Sequence, residues 1–272
     1  VDAVRHDMKM ISEFHRVNGM QINPRKSKFM IIHRKTRKEK VVKRNIQLDD
    51  ESELQQVTVT KYLGLTINEF ASHDDHINEL AKKLTTVVNI LARIKWTVPS
   101  HILLKIYYAH FHSHLYYVPS IYGVSKMEHI EELQILQNRA LKHVFKIPVL
   151  TSTIDVFQIH AKNILPVKGV IYHATANFVN KIDKKLIKTN IFLPRSTTNR
   201  SAGDFLPTKF SSDFLKRDIA YHGVLVFNKL PKEIKKITSI ESFKDKVKKI
   251  LIARTAQLLI FHKFSLLDFK AI

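Results

Sequence analysis

Two adjacent carboxylate pairs, Asp49-Asp50 and Asp74-Asp75, are the first residues whose types and spacing point to chemistry. Paired acidic oxygens hold magnesium ions a few ångströms apart in a two-metal polymerase site. Their positions favour a structural reading instead. Asp49-Asp50 opens an acidic turn, 49–52, and Asp74-Asp75 stands where a helix N-terminus favours negative charge. His110, His112 and His114, with His101 nearby, raise metal ligation, because histidines at i and i+4 face one side of a helix. The residues between His110 and His114 are Phe111, His112 and Ser113, with no carboxylate such as zinc helices of the HExxH kind carry. These histidines read as interfacial or surface residues, and no metal site is expected. With 6 glycines in all, the chain shows no glycine-rich phosphate loop, and no Gly-x-Ser-x-Gly or Ser/His/Asp arrangement stands out.

Charge is the stronger signal. Lys and Arg number 45 against 24 acidic residues, a formal excess of +21 over 272 residues. A compact fold gains nothing from such self-repulsion, whereas neutralised phosphates release counterions, so a polyanion is the expected partner. Nucleic acid leads and an anionic membrane surface comes second. The cations cluster at 34–40, Lys82-Lys83, Lys184-Lys185, Lys232 to Lys236 and Lys244 to Lys249. Each cluster alone reads as a solvated face. Together, interleaved with Tyr62, Trp96, Tyr107 and Phe243, they suit a surface that tracks phosphates and stacks bases.

Without cysteine the chain has neither disulfides nor a thiolate zinc site, which fits a reducing compartment. No apolar run is long enough to span a bilayer, and Val1 to Asp7 does not resemble a secretory signal. An intracellular location, nuclear or cytoplasmic, is expected. The first residue is Val1, and the chain reads as a piece of something longer.

The elements that must position these residues follow from periodicity. Val4, Met8, Ile11 and Phe14 predict an amphipathic helix, stopped by Asn18-Gly19. Met20 to Ile22 and Phe29 to Ile32 read as strands around the turn Asn23-Pro24-Arg25-Lys26, and His33 to Asn45 as an exposed basic loop. Ile46 to Leu48 and Val57 to Val59 are expected to pair across the acidic turn, with Lys61 to Ile67 as a further extended segment. From Asp74 the period lengthens: Ile77, Leu80, Leu84, Val87, Leu91 and Ile94 predict a long helix. A second helix starts near Pro99 and breaks at Pro119 and Gly123. A third carries Ile130, Leu133, Leu136, Ala140 and Val144 until Pro148. Shorter helices are expected at Ile154 to His160 and Val167 to Phe178, loop at Asn190 to Phe214, and two closing helices at Leu215 to Leu230 and Phe243 to Phe261. The fold class is α+β, mostly α.

One ordered series of residues adds a family. Asn18-Gly19, then Met20 to Ile31 with its Asn-Pro-Arg-Lys turn, then Val59-Thr60-Lys61-Tyr62-Leu63-Gly64-Leu65, resemble two consecutive blocks of the reverse transcriptases of non-LTR (LINE, jockey-like) retrotransposons. His76-Ile77, Leu80, Lys83, Leu103 to Tyr107, Ile121-Tyr122-Gly123 and Leu136 to Leu141 resemble the helical thumb of that family. Phe227-Asn228-Lys229-Leu230-Pro231 with Ser242-Phe243-Lys244 resembles its C-terminal WNxLP and FK segment, with Phe227 where tryptophan is usual.

The resemblance implies a division into the end of a palm with a primer-grip hairpin (1–70), a helical thumb (71–150) and a C-terminal helical region (151–272). It implies an RNA-directed DNA polymerase, a nucleotidyltransferase. Lys26 is then the motif lysine, able to donate a proton to departing pyrophosphate or pair with its charge. Lys61, Tyr62, Leu63 and Gly64 are then the primer grip, and Lys82, Lys83 and Arg93 thumb cations along the duplex backbone. The implied partners are an RNA template, a DNA primer or their hybrid, together with the missing N-terminal part of the polymerase. In the family the catalytic aspartate pair precedes the lysine block. Both aspartate pairs here follow it, so the chain holds no ligands for the magnesium implied for the parent enzyme and is expected to be inactive alone. The alternatives are a noncatalytic basic nucleic-acid-binding protein and a degenerate transposon relic.

Overall fold

The computed structural model describes residues 2–33, 46–47, 53–187, 204–207 and 219–260. The basic stretch 34–45, the acidic turn 49–52 and most of 190–214 lie outside the described residues. The chain forms two compact units, 1–76 and 77–272.

In the first unit, helix α1 (Asp2–Val17) ends at Gly19, whose φ of +66° is the left-handed geometry that stops helices. Its apolar stripe is largely exposed: Val4, Ile11, Phe14 and Val17 face solvent, and Met8 alone joins the small core. Met20 to Ile22 is irregular rather than a strand, with Ile22 packed on that core. Three short strands follow, β1 (Lys28–Phe29), β2 (Ile46–Gln47) and β3 (Glu53–Gln56), in the order β1-β3-β2. Ile46 pairs with Leu54, so the partner of β2 is 53–56 and not the expected 57–59. This register buries Ile46 and Leu54 against each other, and a shift would turn one of them outward. The sheet is also mixed, because β1 runs parallel to β3.

Strands β4 (Val59–Tyr62) and β5 (Leu65–Asn68) form a two-residue hairpin, with Tyr62 opposite Leu65 and Leu63-Gly64 at the turn. Both turn residues have positive φ, +46° and +84°, the geometry that matches the twist of the flanking strands. Gly64 adopts it freely and Leu63 does so against its Cβ. The Asn68 side chain stops the hairpin. Its Oδ1 accepts from the amides of Phe70 and Ser72, and its Nδ2 donates to Asp75 at 2.8 Å.

Asp74 and Asp75 open helix α2 (Asp74–Ile94), as expected for carboxylates at a positive helix end. In the second unit its stripe Ile77, Leu80, Leu84, Val87 and Leu91 is buried. Pro99 precedes α3 (Ser100–Ile106), which runs through a wide π-turn segment, Tyr107–His112, into α4 (Ser113–Leu115). Val118 at φ +45° turns the chain into α5 (Pro119–Tyr122). Gly123 is obligatory there, since a Cβ would lie 2.2 Å from Ile171. Helix α6 (Met127–Phe145) ends at Lys146 with φ +54°, two residues before Pro148. Then come α7 (Thr153–Asp155), capped by Ser152, a second π-turn segment Val156–His160, and α8 (Val167–Asp183), five residues longer than expected. Helices α9 (Ile219–Asn228), α10 (Lys232–Lys235), α11 (Ile240–Ala253) and α12 (Thr255–Ile260) complete the unit. The expected single helix from Phe243 is thus two, interrupted at Arg254.

One hydrophobic core runs from Ile77 to Leu258, so residues on both sides of 150 share it. Buried polar side chains stitch it. Gln137 Nε2 donates to the Tyr107 hydroxyl (3.0 Å) and the Leu165 carbonyl (2.9 Å). Gln134 Oε1 accepts from Val167 N, and Asn138 Nδ2 donates to Thr153 Oγ1. Asn228 grips both backbone groups of Phe205, at 2.9 and 2.7 Å.

Two substitutions test these points. Leu63→Asn relieves a left-handed strain of roughly 1–2 kcal/mol, so amide exchange at the hairpin should slow about fivefold or more; unchanged or faster exchange would show that the Leu63 side chain compensates. Asn180, fully buried on α8, has no hydrogen-bond partner at either amide atom. Asn180→Leu keeps the shape and removes the unsatisfied groups, and should raise the thermal midpoint by about 2–4 °C for each kcal/mol gained.

Candidate nucleic-acid interface

The residues singled out in the sequence fall at two places, one in each unit. In the first, the tip of the β4–β5 hairpin projects Tyr62, 64% exposed, and Leu63, 76% exposed, beside the exposed Lys61 and Gly64. An aromatic ring and a leucine held this far out contribute little to a core. Backbone bonds tie both feet of the hairpin to the segment after the Lys26 turn: Val57 N donates to Phe29 O and His33 N to Glu69 O, each at 2.9 Å. Asn23 shapes that turn, its Oδ1 accepting from Arg25 N while its carbonyl accepts from the amides of Lys26 and Ser27. Lys26 is exposed, three residues before Phe29.

In the second unit, Lys82, Thr86, Asn89 and Arg93 recur at helical spacing along the exposed face of α2, with Lys83 beside them. Lys82 and Arg93 stand about 16 Å apart along the axis at 1.5 Å per residue. Directly after α2, Trp96 is 72% exposed, with the Lys95 ammonium 5.0 Å from its ring centroid. A line of cations ending in an open indole is a surface that a charged, stacked polymer can follow.

Two lysines of the other basic clusters serve the fold. Lys184 Nζ donates to the Ile237 and Thr238 carbonyls at 2.5 Å, and Lys235 Nζ reaches Asp204 and the Asn228 carbonyl at 2.6 Å. Phe227 and Phe243 stack in the core with centroids 6.1 Å apart, and Tyr107 is fully buried. Of the aromatic residues expected to interleave the cations, Tyr62 and Trp96 are therefore the exposed ones.

Asp75 engages Asn68 in the first turn of α2, and Asp49-Asp50 lies outside the described residues. Among the described residues no group of three histidine or carboxylate side chains converges. No described helix is long and apolar enough to cross a membrane.

The sequence did not reveal a cavity of about 310 Å³ in the second unit. The π-turn segment supplies Tyr108 and His112, the end of α4 supplies Tyr116, α8 supplies His173, and α11 supplies Lys244 and Lys248, beside the apolar Ile164 and Leu165. His112 was visible only as one of the histidine cluster, and nothing local marks His173 within its apolar helix. The Tyr116 hydroxyl donates to His173 Nδ1 at 2.6 Å, leaving Nε2–H to donate to the Lys244 carbonyl at 3.0 Å. The Asn177 amide lies 3.2 Å from the same Nε2.

Burial pushes both imidazoles down to about 4, helped at His112 by the charge of Lys248 and the proximity of His173. At His173 the Lys244 and Lys248 charges act in the same direction, while the hydrogen bond to the Lys244 carbonyl and the charge of Asp245 oppose them. Depressed values mean that the unfolded chain binds more protons between about pH 6.5 and 4. Stability is therefore full above that window and falls as the pH drops through it. The difference in urea midpoint between pH 7 and pH 5 should shrink in His173→Gln; an unchanged difference would remove His173 from the cause.

Compared with known proteins, the chain matches no family model, no curated protein and no solved structure.

Proposed function

We propose that this chain is the C-terminal part of a LINE-type reverse transcriptase, comprising the end of the palm, a helical thumb and a C-terminal helical region, and that it holds a primer-template. The observation that carries the reading is the Lys61-Tyr62-Leu63-Gly64 hairpin tip. It is exposed, turned through two positive-φ residues and fixed at both feet to the segment that follows the Lys26 turn. An aromatic ring on a stiff two-stranded arm stacks on a terminal base or sugar at low entropic cost, and Gly64 lets the backbone approach a phosphate. Lys26 supplies a cation on the adjoining segment, and Lys82, Lys83 and Arg93 supply sequence-independent contacts to the duplex backbone.

Two further features support it. The exposed apolar stripe of α1 is a surface that the remainder of a palm would cover. The charge of +21 fits a polyanionic partner inside the cell, in nucleus or cytoplasm. The parent's in-line displacement by two magnesium ions needs carboxylates from that remainder, so the role of this chain is to grip and orient nucleic acid. A noncatalytic basic binding protein would use the α2 face and Trp96 without the hairpin.

Binding of the purified chain to an RNA/DNA primer-template, measured by anisotropy against single strands and a blunt duplex over a salt series, separates the readings. A recessed primer end should be preferred, and Lys61→Ala with Tyr62→Ala should weaken that preference by about tenfold or more, as for loss of one stacked base. Replacing Lys82, Lys83 and Arg93 by alanine should weaken all substrates alike and lower the salt slope by about 2–3. Binding indifferent to end structure and to the hairpin variants would leave the noncatalytic reading.

A further inference from the structure

The cavity between the π-turn segment, α8 and α11 has a charge inventory that its own fold does not balance. Lys244 and Lys248 are four residues apart on α11, both at its wall, and like charges at that spacing repel. Among the described residues no carboxylate lines the cavity; Asp245, next to Lys244, is exposed and raises His173 only as a minor contribution. His112 brings a ring whose Nδ1 is buried without a hydrogen-bond partner. An unmet lone pair costs less than an unmet N–H, so the proton of the neutral ring belongs on Nε2, a donor. The rest of the wall suits an organic body: the rings of Tyr108 and Tyr116 line it together with the apolar Ile164 and Leu165, and the volume of about 310 Å³ exceeds what a bare inorganic anion fills.

The wall is also held in place. Tyr116, His173 and the Lys244 carbonyl form one chain of hydrogen bonds across three elements, at 2.6 and 3.0 Å. This chain sets where the first turns of α11, and hence Lys244, stand relative to α8. The π-turn segment offsets the faces of α3 and α4, and Tyr108 and His112 meet edge to face at 5.4 Å within it. Wide turns of this kind recur at ligand sites because they turn side chains off the regular helical face.

We propose that this cavity binds a phosphate monoester of about mononucleotide size, with Lys244 and Lys248 pairing its dianion, His112 donating to it, and Tyr108 and Tyr116 covering its planar body. The site shares no residue with the hairpin or the α2 face and does not depend on the polymerase reading. The same chemistry is offered by a free nucleotide and by the phosphorylated end of a strand. The two differ in whether the body must fit wholly inside.

Protons accompany the anion. Tyr108, Tyr116, Lys248 and His173 face His112, while Tyr116, Lys244, Lys248 and Asp245 surround His173. In the absence of an anion these surroundings hold both imidazoles neutral at pH 7. A bound dianion favours their charged forms, so binding takes up protons and tightens as the pH falls. Phosphate loses charge itself near pH 6, whereas sulfate stays a dianion across this range and isolates the effect.

The test is calorimetric titration of the full chain with adenosine monophosphate, adenosine, inorganic sulfate, and a trinucleotide with and without a 5′ phosphate. The nucleotide should bind and adenosine should bind at least tenfold more weakly. Lys244→Ala with Lys248→Ala should weaken the nucleotide at least tenfold without lowering the thermal midpoint. Lys246→Ala with Lys249→Ala removes the same charge from exposed positions of the same helix that do not line the cavity, and should leave binding within twofold. Sulfate affinity should rise between pH 7.5 and 5.5, and less so in His112→Gln. A free-nucleotide site prefers the mononucleotide; a strand-end site prefers the 5′-phosphorylated trinucleotide over both the mononucleotide and its hydroxyl form. Equal binding of adenosine and its monophosphate, or equal losses in the two lysine pairs, would overturn the proposal.

Discussion

The second unit depends on one buried amide. Gln137, fully enclosed on α6, spends its Nε2 on the Tyr107 hydroxyl and the Leu165 carbonyl. The first bond fixes the start of the π-turn segment. The second fixes the loop that leads into α8, which Gln134 secures again by accepting from the Val167 amide. An amide in an apolar core is costly unless both partners are present, so this geometry permits few alternatives. Tyr107, deprived of solvent, has its hydroxyl pushed far above the usual range and acts only as a neutral partner. Once α6, the π-turn and α8 are in register, Tyr116 and His173 meet, and α11 docks on the far side through the Lys244 carbonyl.

Charge is distributed by the same logic. A chain with an excess of +21 must place its ammonium groups where they meet carbonyls, carboxylates or water. Lys184 and Lys235 are absorbed into the fold, on the carbonyls of Ile237, Thr238 and Asn228 and the carboxylate of Asp204. Lys82, Lys83 and Arg93 are left on an open helical face. The contrast separates lysines that shape the chain from those available to a partner, a distinction that clustering along the sequence does not make.

Much of the helical architecture was legible in the sequence because it rests on local periodicity. The stripe from Ile77 to Leu91 is buried as its spacing requires, and Asp74-Asp75 opens its helix. What could not be read arises from contacts distant in sequence. The pairing of Ile46 with Leu54 is decided by two side chains closing a small core, not by the turn between them. The order at Phe205 comes from Asn228, 23 residues away, so composition alone placed that segment in a loop. The π-turn segments leave no signature in spacing, and the cavity gathers residues from 108 to 248. The α1 stripe was correctly read as amphipathic, yet periodicity cannot state what covers it.

The motif residues themselves divide in a way that bears on function. Leu136, Gln137, Ala140, Tyr122, Phe227 and Phe243 are buried, and Gly123 is needed for close approach to Ile171. Chemistry and packing explain each without any partner, so they bear on the fold of the helical unit and say nothing about nucleic acid. Lys61, Tyr62 and Leu63 are the opposite case. A hairpin stabilised only by its own strands would do better with a small polar residue than a left-handed leucine at its turn. The left-handed backbone at Leu63 and the exposed apolar surface of the tip both cost free energy in the isolated unit. A partner that covered Tyr62 and Leu63 would offset that cost, so in the proposed reading the tip, rather than the more numerous surface lysines, is where binding and structure are most directly coupled.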